Sequence, residues 1–533
     1  MNRFKDLYPF PTFRPGVEEL FEQLEAHKSL KYFIIRAKTG IGKSGIAVAI
    51  SRAEGCHILT ATKILQDQYA NTKEFTEEFV LKGKSNYTCN LTGDDMNEAP
   101  CSHQDLVKIG VNALAEKNWL SDSDDSKITS TTALKARCVA TNGCEYYVKK
   151  EQLASPNCGG GILNYDLAFL VKPKGKAIVL DEAHNFIDKL LDIYSFEFSK
   201  EKLKKLVPYK EDITQTNYVQ WLQNLLKLAQ IKAEKQGTAA DEKLKDLQTK
   251  IKTILSEATM PGDFYVESTP EQIVIKPLKP AMIAHKFLNN YERVYFLSAT
   301  IDASFKDILK LPAAKTAEFS LESTFPIENR PIYFPRNIPN INFKTKFDGE
   351  NPSIQLLKAI VERHKDQRGI IHTANYRLME VIEAILGKRD KRFLFVDRGV
   401  DKKIALAKHN ERPDSVLISP SMMEGVDLKD DLARWQIIFK VPYPAKTDYI
   451  AALEETLPGY YGMTTRNSLV QAYGRPVRSE SDWAHTYVLD GSLNMLQSQL
   501  DPYFTQAVKF GDWQKLKEAL EKGKIGNPIK EEE

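Results

Sequence analysis

Cysteine is scarce in this chain, 6 in 533 residues, and net charge is nearly absent, since 74 Lys and Arg against 71 Asp and Glu leave only +3. The first scarcity excludes a disulfide-stapled scaffold, so a cluster among the cysteines points to metal or to ordinary core packing. The second excludes a uniformly basic surface; a polyanion would have to bind in a local groove. Long apolar runs are also missing. No stretch approaches the roughly 18 residues of a membrane span, and MNRFKDLYPFPTF at the start lacks the charged opening and apolar run of a secretory signal. A cytoplasmic protein with no membrane partner is expected. What is plentiful is core material: 42% hydrophobic residues over this length suggest about three or four domains.

A β-branched and aromatic run at residues 32–35 leads into AKTGIGKS at 37–44 and then into the helix-compatible GIAVAISRA. Strand, glycine loop and helix follow in the order that a phosphate-binding loop requires. Gly40 and Gly42 let backbone N–H groups approach phosphate oxygens, and the following helix points its positive end at them. The loop residues Ala37, Lys38, Thr39, Gly40, Ile41, Gly42, Lys43 and Ser44 are therefore the candidate ATP site. Lys43 would neutralise the β- and γ-phosphates and Ser44 would coordinate magnesium. Ala37 stands where the first glycine of such a loop is usual.

A second run, KAIVL at 176–180, reads as a buried parallel strand and ends in Asp181-Glu182-Ala183-His184. Carboxylates at the C-terminal end of such a strand face the crevice where ligands bind. Asp181 is the candidate magnesium ligand, and Glu182 the group that orients or deprotonates the attacking water. His184 reads either as a locally hydrogen-bonded side chain or as a relay between nucleotide and nucleic acid. Far downstream, QAYGRPVR at 471–478 spaces Arg475 and Arg478 one helical turn apart, two permanent cations suited to a transferring phosphoryl group. Pro476 inside the run argues for a helix start or a kink. Gln471, Arg475 and Arg478 join Lys43, Asp181 and Glu182 as catalytic candidates.

With these motifs in order, the chain resembles the XPD/DinG-like iron–sulfur group of superfamily 2 helicases. Further segments carry the resemblance: YPFPTFRPG at 8–16, LTATKILQDQ at 59–68, Asn164-Tyr165, LSAT at 297–300, GIIHTANY at 369–376 and LISPSMMEGVDL at 417–428. Val17 departs from it, standing where a glutamine is usual. The resemblance implies an α/β fold of two RecA-like parallel-sheet motor domains with ATP and Mg2+ between them, the first carrying a cysteine-rich cluster insertion and a helical arch-like insertion. The expected division is 1–86, 158–190 and 286–325 for the first motor domain, 87–157 for the cluster, 191–285 for the arch and 326–533 for the second motor domain. Independent support comes from the short buried-type strands GIIHT, RFLFV, VLIS and WQIIFKV. The stretch after residue 478 reads as mostly helical.

Cys89, Cys101, Cys138 and Cys144 lie between the loop and the acidic motif. YTCN and CEYY resemble the flanks of the family's cluster, which implies these four as ligands of a 4Fe-4S cluster. Zinc would use the same thiolates, and Cys158 competes with Cys101 for one ligand position. Cys56 reads as a core residue. In the arch, residues 217–258 read as two amphipathic helices joined near Gly237. SDSDDS at 121–126 and the terminal KEEE read as solvated. Thr60, Thr62, Thr373 and Ser421 are candidate phosphate contacts, and Tyr87, Tyr146 and Tyr376 stack on bases or pack in the core. The implied activity is a monomeric, ATP-dependent DNA helicase on single-stranded, forked or tailed DNA, moving 5′ to 3′, in replication, recombination or repair. Two other readings remain: a nucleic-acid-stimulated translocase that remodels protein–nucleic acid complexes, and a non-enzymatic binding module with a vestigial nucleotide site.

Overall fold

The computed structural model describes residues 3–71, 80–120, 128–141, 143–155, 160–236, 242–257, 260, 262–387, 390–420 and 428–525. Ser421 with the rest of 421–427, Cys158, Gly237, the 121–126 loop and the terminal KEEE lie outside the described residues.

Two seven-stranded sheets dominate the molecule. The first runs, edge to edge, Thr316–Leu321, Tyr32–Ala37, Arg293–Ser298, Ala177–Asp181, His57–Thr60, Ile162–Asn164 and Val80–Leu81, with every pairing parallel. The second runs Phe393–Phe395, Val416–Ser419, Gly369–His372, Trp435–Ile438, His485–Val488, Ile332–Pro335 and Val508–Gly511, again all parallel. Parallel strands need helical crossovers that cover both faces, which is why FIIRA, AIVLD and VLIS are nearly continuous apolar runs. Strands His485–Val488 and Val508–Gly511 correct the expectation of a mostly helical end: each joins the second sheet.

Two pieces interrupt the first sheet between its strands. The cysteine-bearing piece is built from short helices Val107–Glu116, Thr131–Ala140 and Glu145–Ala154, and its core is continuous with that of the sheet. In the other, helices Tyr218–Gln236 and Glu242–Glu257 face each other through Leu222, Leu225 and Ala229 against Leu244, Leu247 and Ile251, spaced at three and four residues as an amphipathic pair requires. They lie on a three-stranded antiparallel sheet, Phe196–Ser199, Phe264–Ser268 and Gln272–Pro277, which the periodicity of the helices did not announce.

One helix belongs to two cores. Tyr460–Tyr473 buries Tyr460 and Met463 in the core of the first sheet and Leu469, Val470, Ala472 and Tyr473 in the core of the second. Its first residue is pinned by a hydrogen bond from the Tyr460 hydroxyl to Asp188 (2.7 Å). Just upstream, Leu453 and Leu457 join the same first core, and the Tyr449 hydroxyl donates to the Pro277 carbonyl (2.9 Å). Among the described residues no helix is long and apolar enough to cross a membrane.

Candidate active site

The strand Tyr32–Ala37 ends where the glycine loop begins, and Gly42 (φ 80°) caps the helix Lys43–Glu54. At Gly40 (φ 94°) a Cβ would overlap the Phe325 ring, so the loop can lie this close to the connection between the sheets only with glycine there. Lys43 and Ser44 thus sit in the first helical turn, at the positive end of its dipole. Arg14 donates to the Gly40 carbonyl and Ser323 to the Thr39 carbonyl (3.0 Å).

Next to the loop stands the strand Ala177–Asp181, one residue further along than its apolar run suggests, so that Asp181 is the last strand residue. Glu182 follows in the left-handed region (φ 52°), a conformation costing a side-chain-bearing residue about 1 kcal/mol or more. Its carboxylate accepts from Ser298 Oγ (3.2 Å), and Ser298 also lies 2.7 Å from His184 Nδ1. His184 is 3.3 Å from Glu182, and its buried Nε2 has no partner among the described residues. Asp181 accepts from the Tyr69 hydroxyl (2.9 Å) and from the Glu182 N–H (3.0 Å).

Burial and then the Glu182 charge push the Asp181 carboxyl up, against the pull of Lys43 and Tyr69. Burial acts on Glu182 in the same direction, but there Lys43, the His184 hydrogen bond and Arg475 win and hold it well below the usual carboxylate range. Burial thus opposes ionisation of both carboxyls, and Lys43 favours it at both. Ser44 and Asp181 both meet the Tyr69 hydroxyl, a set of oxygen donors that suits magnesium.

The second sheet closes the site. Past the end of Tyr460–Tyr473, Gly474 comes close enough to Thr39 that a Cβ would lie 3.3 Å from its hydroxyl. Gln471 Nε2 donates to Thr300 Oγ1 (2.8 Å), and Gln471 Oε1 accepts from Arg475 (3.2 Å). Arg475 and Arg478 lie beyond the helix, correcting the expectation that one helical face presents both; Gly474 and Pro476 end the helix first, and the Arg478 N–H is held by Asp482 instead (3.0 Å). A cavity of about 360 Å3 is lined by Lys38, Thr39, Gly40, Gly42, Lys43 and Ser44, by Asp181, Glu182 and His184, and by Gln471, Arg475 and Arg478. Ala37 and Ile41 are buried in the core beneath it.

Other contacts at this site were not given by the motifs. Lys38 is buried and committed across the sheets, donating to the Ala299 carbonyl (3.2 Å) and pairing with Asp501. Arg466 binds Asp302 (2.7 Å) beside the cleft. Arg14, Thr300, Lys429 and Tyr503 also line the cavity. Ser298 and Thr300 had a signal in LSAT; Tyr69, Asp302 and Asp501 had none.

The candidate phosphate contacts divide. Thr60 and Thr373 are buried, with hydroxyls donated to the carbonyls of Thr62 (3.2 Å) and Asn375 (3.1 Å), so neither faces a groove; Thr62 lines the nucleotide cavity. Tyr87 and Tyr146 pack on each other in the cysteine module, and Tyr376 lies under the Arg398 guanidinium. Asn164 caps helix Tyr165–Val171, and the Tyr165 hydroxyl donates to the Asp181 carbonyl (3.0 Å).

Cys89, Cys101, Cys138 and Cys144 are all buried within one core, with no disulfide among them. Burial comes first in raising the thiols of Cys101, Cys138 and Cys144, the second to about 12; the neighbouring cysteines raise them further, and Lys84 and Lys135 offset part of this at Cys101. Cys89, Cys101, Cys138 and Cys144 are thus electrostatic neighbours, thiols of the kind an iron–sulfur cluster uses. Among the described residues, no three His, Cys, Asp or Glu side chains form a group that could hold a metal ion.

A helicase C-terminal domain family model matches residues 357–509, and the DEAD_2 family model matches 66–203. Among solved structures, an XPD helicase superposes over 94% of this chain and 100% of its own, with TM-score 0.62 at 16% identity. Xpd4 of S. tokodaii covers 93% of this chain and 100% of its own (TM-score 0.54, 13% identity), and XPD in its apo form covers 91% and 98% (0.53, 14%). No curated protein matches.

Proposed function

We propose that this chain, which belongs to the XPD/DinG-like superfamily 2 helicases, is a DNA helicase that converts ATP hydrolysis in the cleft between its two sheets into 5′ to 3′ movement along a single strand. The observation that carries the reading is the single cavity where Lys43, Ser44, Asp181 and Glu182 of one sheet face Gln471, Arg475 and Arg478 of the other. The division into two motor domains, a cluster module at 87–157 and an arch at 191–285 is part of the same reading.

In this mechanism Lys43 neutralises the terminal phosphates, and Ser44 and Asp181 would hold Mg2+, which would offset further phosphate charge. Glu182, which feels the charges of Lys43, His184 and Arg475, orients the attacking water. Arg475 and Arg478 meet the charge that spreads over the γ-phosphoryl oxygens. Gln471 binds both Arg475 and Thr300, and Thr300 donates its N–H to Ser298 (3.3 Å), which binds Glu182. Loss of the γ-phosphate therefore reaches the second sheet through a short chain of hydrogen bonds, and the cleft opens and closes with each turnover. Cys89, Cys101, Cys138 and Cys144 would hold a 4Fe-4S cluster, which would tie together separate points of the 87–157 module.

The decisive test is strand displacement on duplexes with 5′ or 3′ single-stranded tails, with Lys43→Ala as control. ATP-dependent displacement of the 5′-tailed substrate is expected. Strand-stimulated hydrolysis without displacement would replace the helicase by a translocase, and hydrolysis unaffected by Lys43→Ala would overturn the site itself.

A further inference from the structure

Phe343 is 76% exposed, the highest value among the large apolar side chains described. It does not sit on a loose loop. The Ile341 N–H is held by Asp490 (2.9 Å) and the Ile341 carbonyl by Lys440 (2.6 Å). The Phe343 carbonyl accepts from Arg377 (3.3 Å), the Lys346 carbonyl accepts from Asn351 (2.7 Å), and Phe347 packs on Phe439. With the backbone on either side held by these contacts, the exposed ring forfeits a burial worth about 2 kcal/mol.

The anchors say where the ring stands. Arg377 lies in the first turn of the helix that follows strand Gly369–His372, and Lys440 lies two residues past strand Trp435–Ile438. These strands are neighbours at the centre of the second sheet, and the chain leaves them in opposite directions: from the first toward Phe393–Phe395 at one edge, from the second toward His485–Val488 on the other side. That is the topological switch point of a parallel sheet, where a crevice opens beyond the C-terminal ends of the strands. Lys344, Lys346 and Arg377 are exposed; the Lys344 ammonium lies 5.5 Å from the ring centroid, and Arg377 holds the Phe343 carbonyl. Asp348, the nearest acid in sequence, turns its carboxylate onto the N–H groups of Glu350 and Asn351 (3.1 Å each).

We propose that Phe343 is a stacking platform for a base of single-stranded nucleic acid, with Lys344, Lys346 and Arg377 holding the flanking phosphates. An aromatic face beside cations suits every base alike, as a translocating motor needs. The proposal rests on the motor reading above and adds to it a grip that depends on bases as well as phosphates.

The test measures binding of a fluorescent 20-nucleotide oligothymidylate, and of the same backbone made abasic, by the full chain and by Phe343→Ala and Phe343→Trp. Phe343→Ala should weaken oligothymidylate binding about ten-fold and leave abasic binding and basal ATP hydrolysis unchanged. Phe343→Trp should restore binding, with its indole emission quenched by oligothymidylate and not by the abasic strand. Oligothymidylate binding unchanged in Phe343→Ala, or an equal loss on both strands, would overturn the platform and leave the motor reading standing. Failure of the unsubstituted chain to bind either strand would overturn both.

Discussion

The two sheets share strand number, parallel pairing and covered faces, yet their C-terminal edges are furnished in opposite ways. At the first, charge is taken out of water: Asp181, His184 and Lys38 are each no more than 4% exposed and are held by specific partners. At the centre of the second, Phe343 and its cations stand in solvent. A dry, pre-arranged edge strengthens every electrostatic interaction and suits bond breaking. A wet aromatic edge can take and release a strand repeatedly. The same scaffold therefore separates reaction from grip by what its loops carry, and the arginines past Tyr473 are the point where the second sheet reaches back into the first one's chemistry.

The sharpest way to break this contrast is to remove a charge from the dry edge. Lys43→Ala should slow phosphate release by roughly a thousand-fold or more while leaving strand binding intact; loss of both together would mean that the edges do not divide the work. Arg475→Ala should lower kcat by roughly a hundred- to a thousand-fold with little change in nucleotide affinity, since its charge matters most when the phosphoryl group is in transit. Cys138→Ser tests whether the division extends to the cysteine module: iron content and absorbance near about 400 nm should fall, while basal ATP hydrolysis persists.

The smallest effect belongs to the bridge between the edges. Asp302→Asn should cost about 1–3 kcal/mol in urea unfolding at neutral pH, because it leaves Arg466, 11% exposed, without its carboxylate. Burial works to raise the Asp302 carboxyl, but Arg466 and Ser304 outweigh it and hold it below its ordinary value. A carboxyl lowered on folding contributes fully above its unfolded pKa of about 3.9, and that contribution is lost as pH falls through the lower folded value. The stability gap between the two proteins should therefore be constant near neutrality and close below about pH 4.

Much of this was legible in the sequence, for local reasons. A glycine loop between strand and helix, or acids directly after a buried strand, encode their geometry within about ten residues, so Lys43, Ser44, Asp181 and Glu182 could be named before any fold was known. Tyr69 could not. It reaches Asp181 only because His57–Thr60 pairs with Ala177–Asp181, a neighbour relation set by crossovers more than a hundred residues long. Asp501 pairs with Lys38 across 463 residues, and no periodicity reports that. The arginine pair failed in the other direction: helical spacing was present in QAYGRPVR, but Gly474 ends the helix before the first arginine. The strands of the arch were hidden because FEFS and FYVES are too short to stand out beside two long amphipathic helices.

The helix Tyr460–Tyr473, about 21 Å long, has its root among the side chains of the first sheet and its tip in the cleft. Cutting the chain between the sheets near residue 326 would therefore not yield two self-sufficient halves. The N-terminal fragment would present to water the apolar face now covered by Leu453, Leu457, Tyr460 and Met463, and the C-terminal fragment would carry those same residues uncovered. In folding terms the boundary is interdigitated: the first sheet cannot finish its interior until a segment synthesised more than a hundred residues later has arrived.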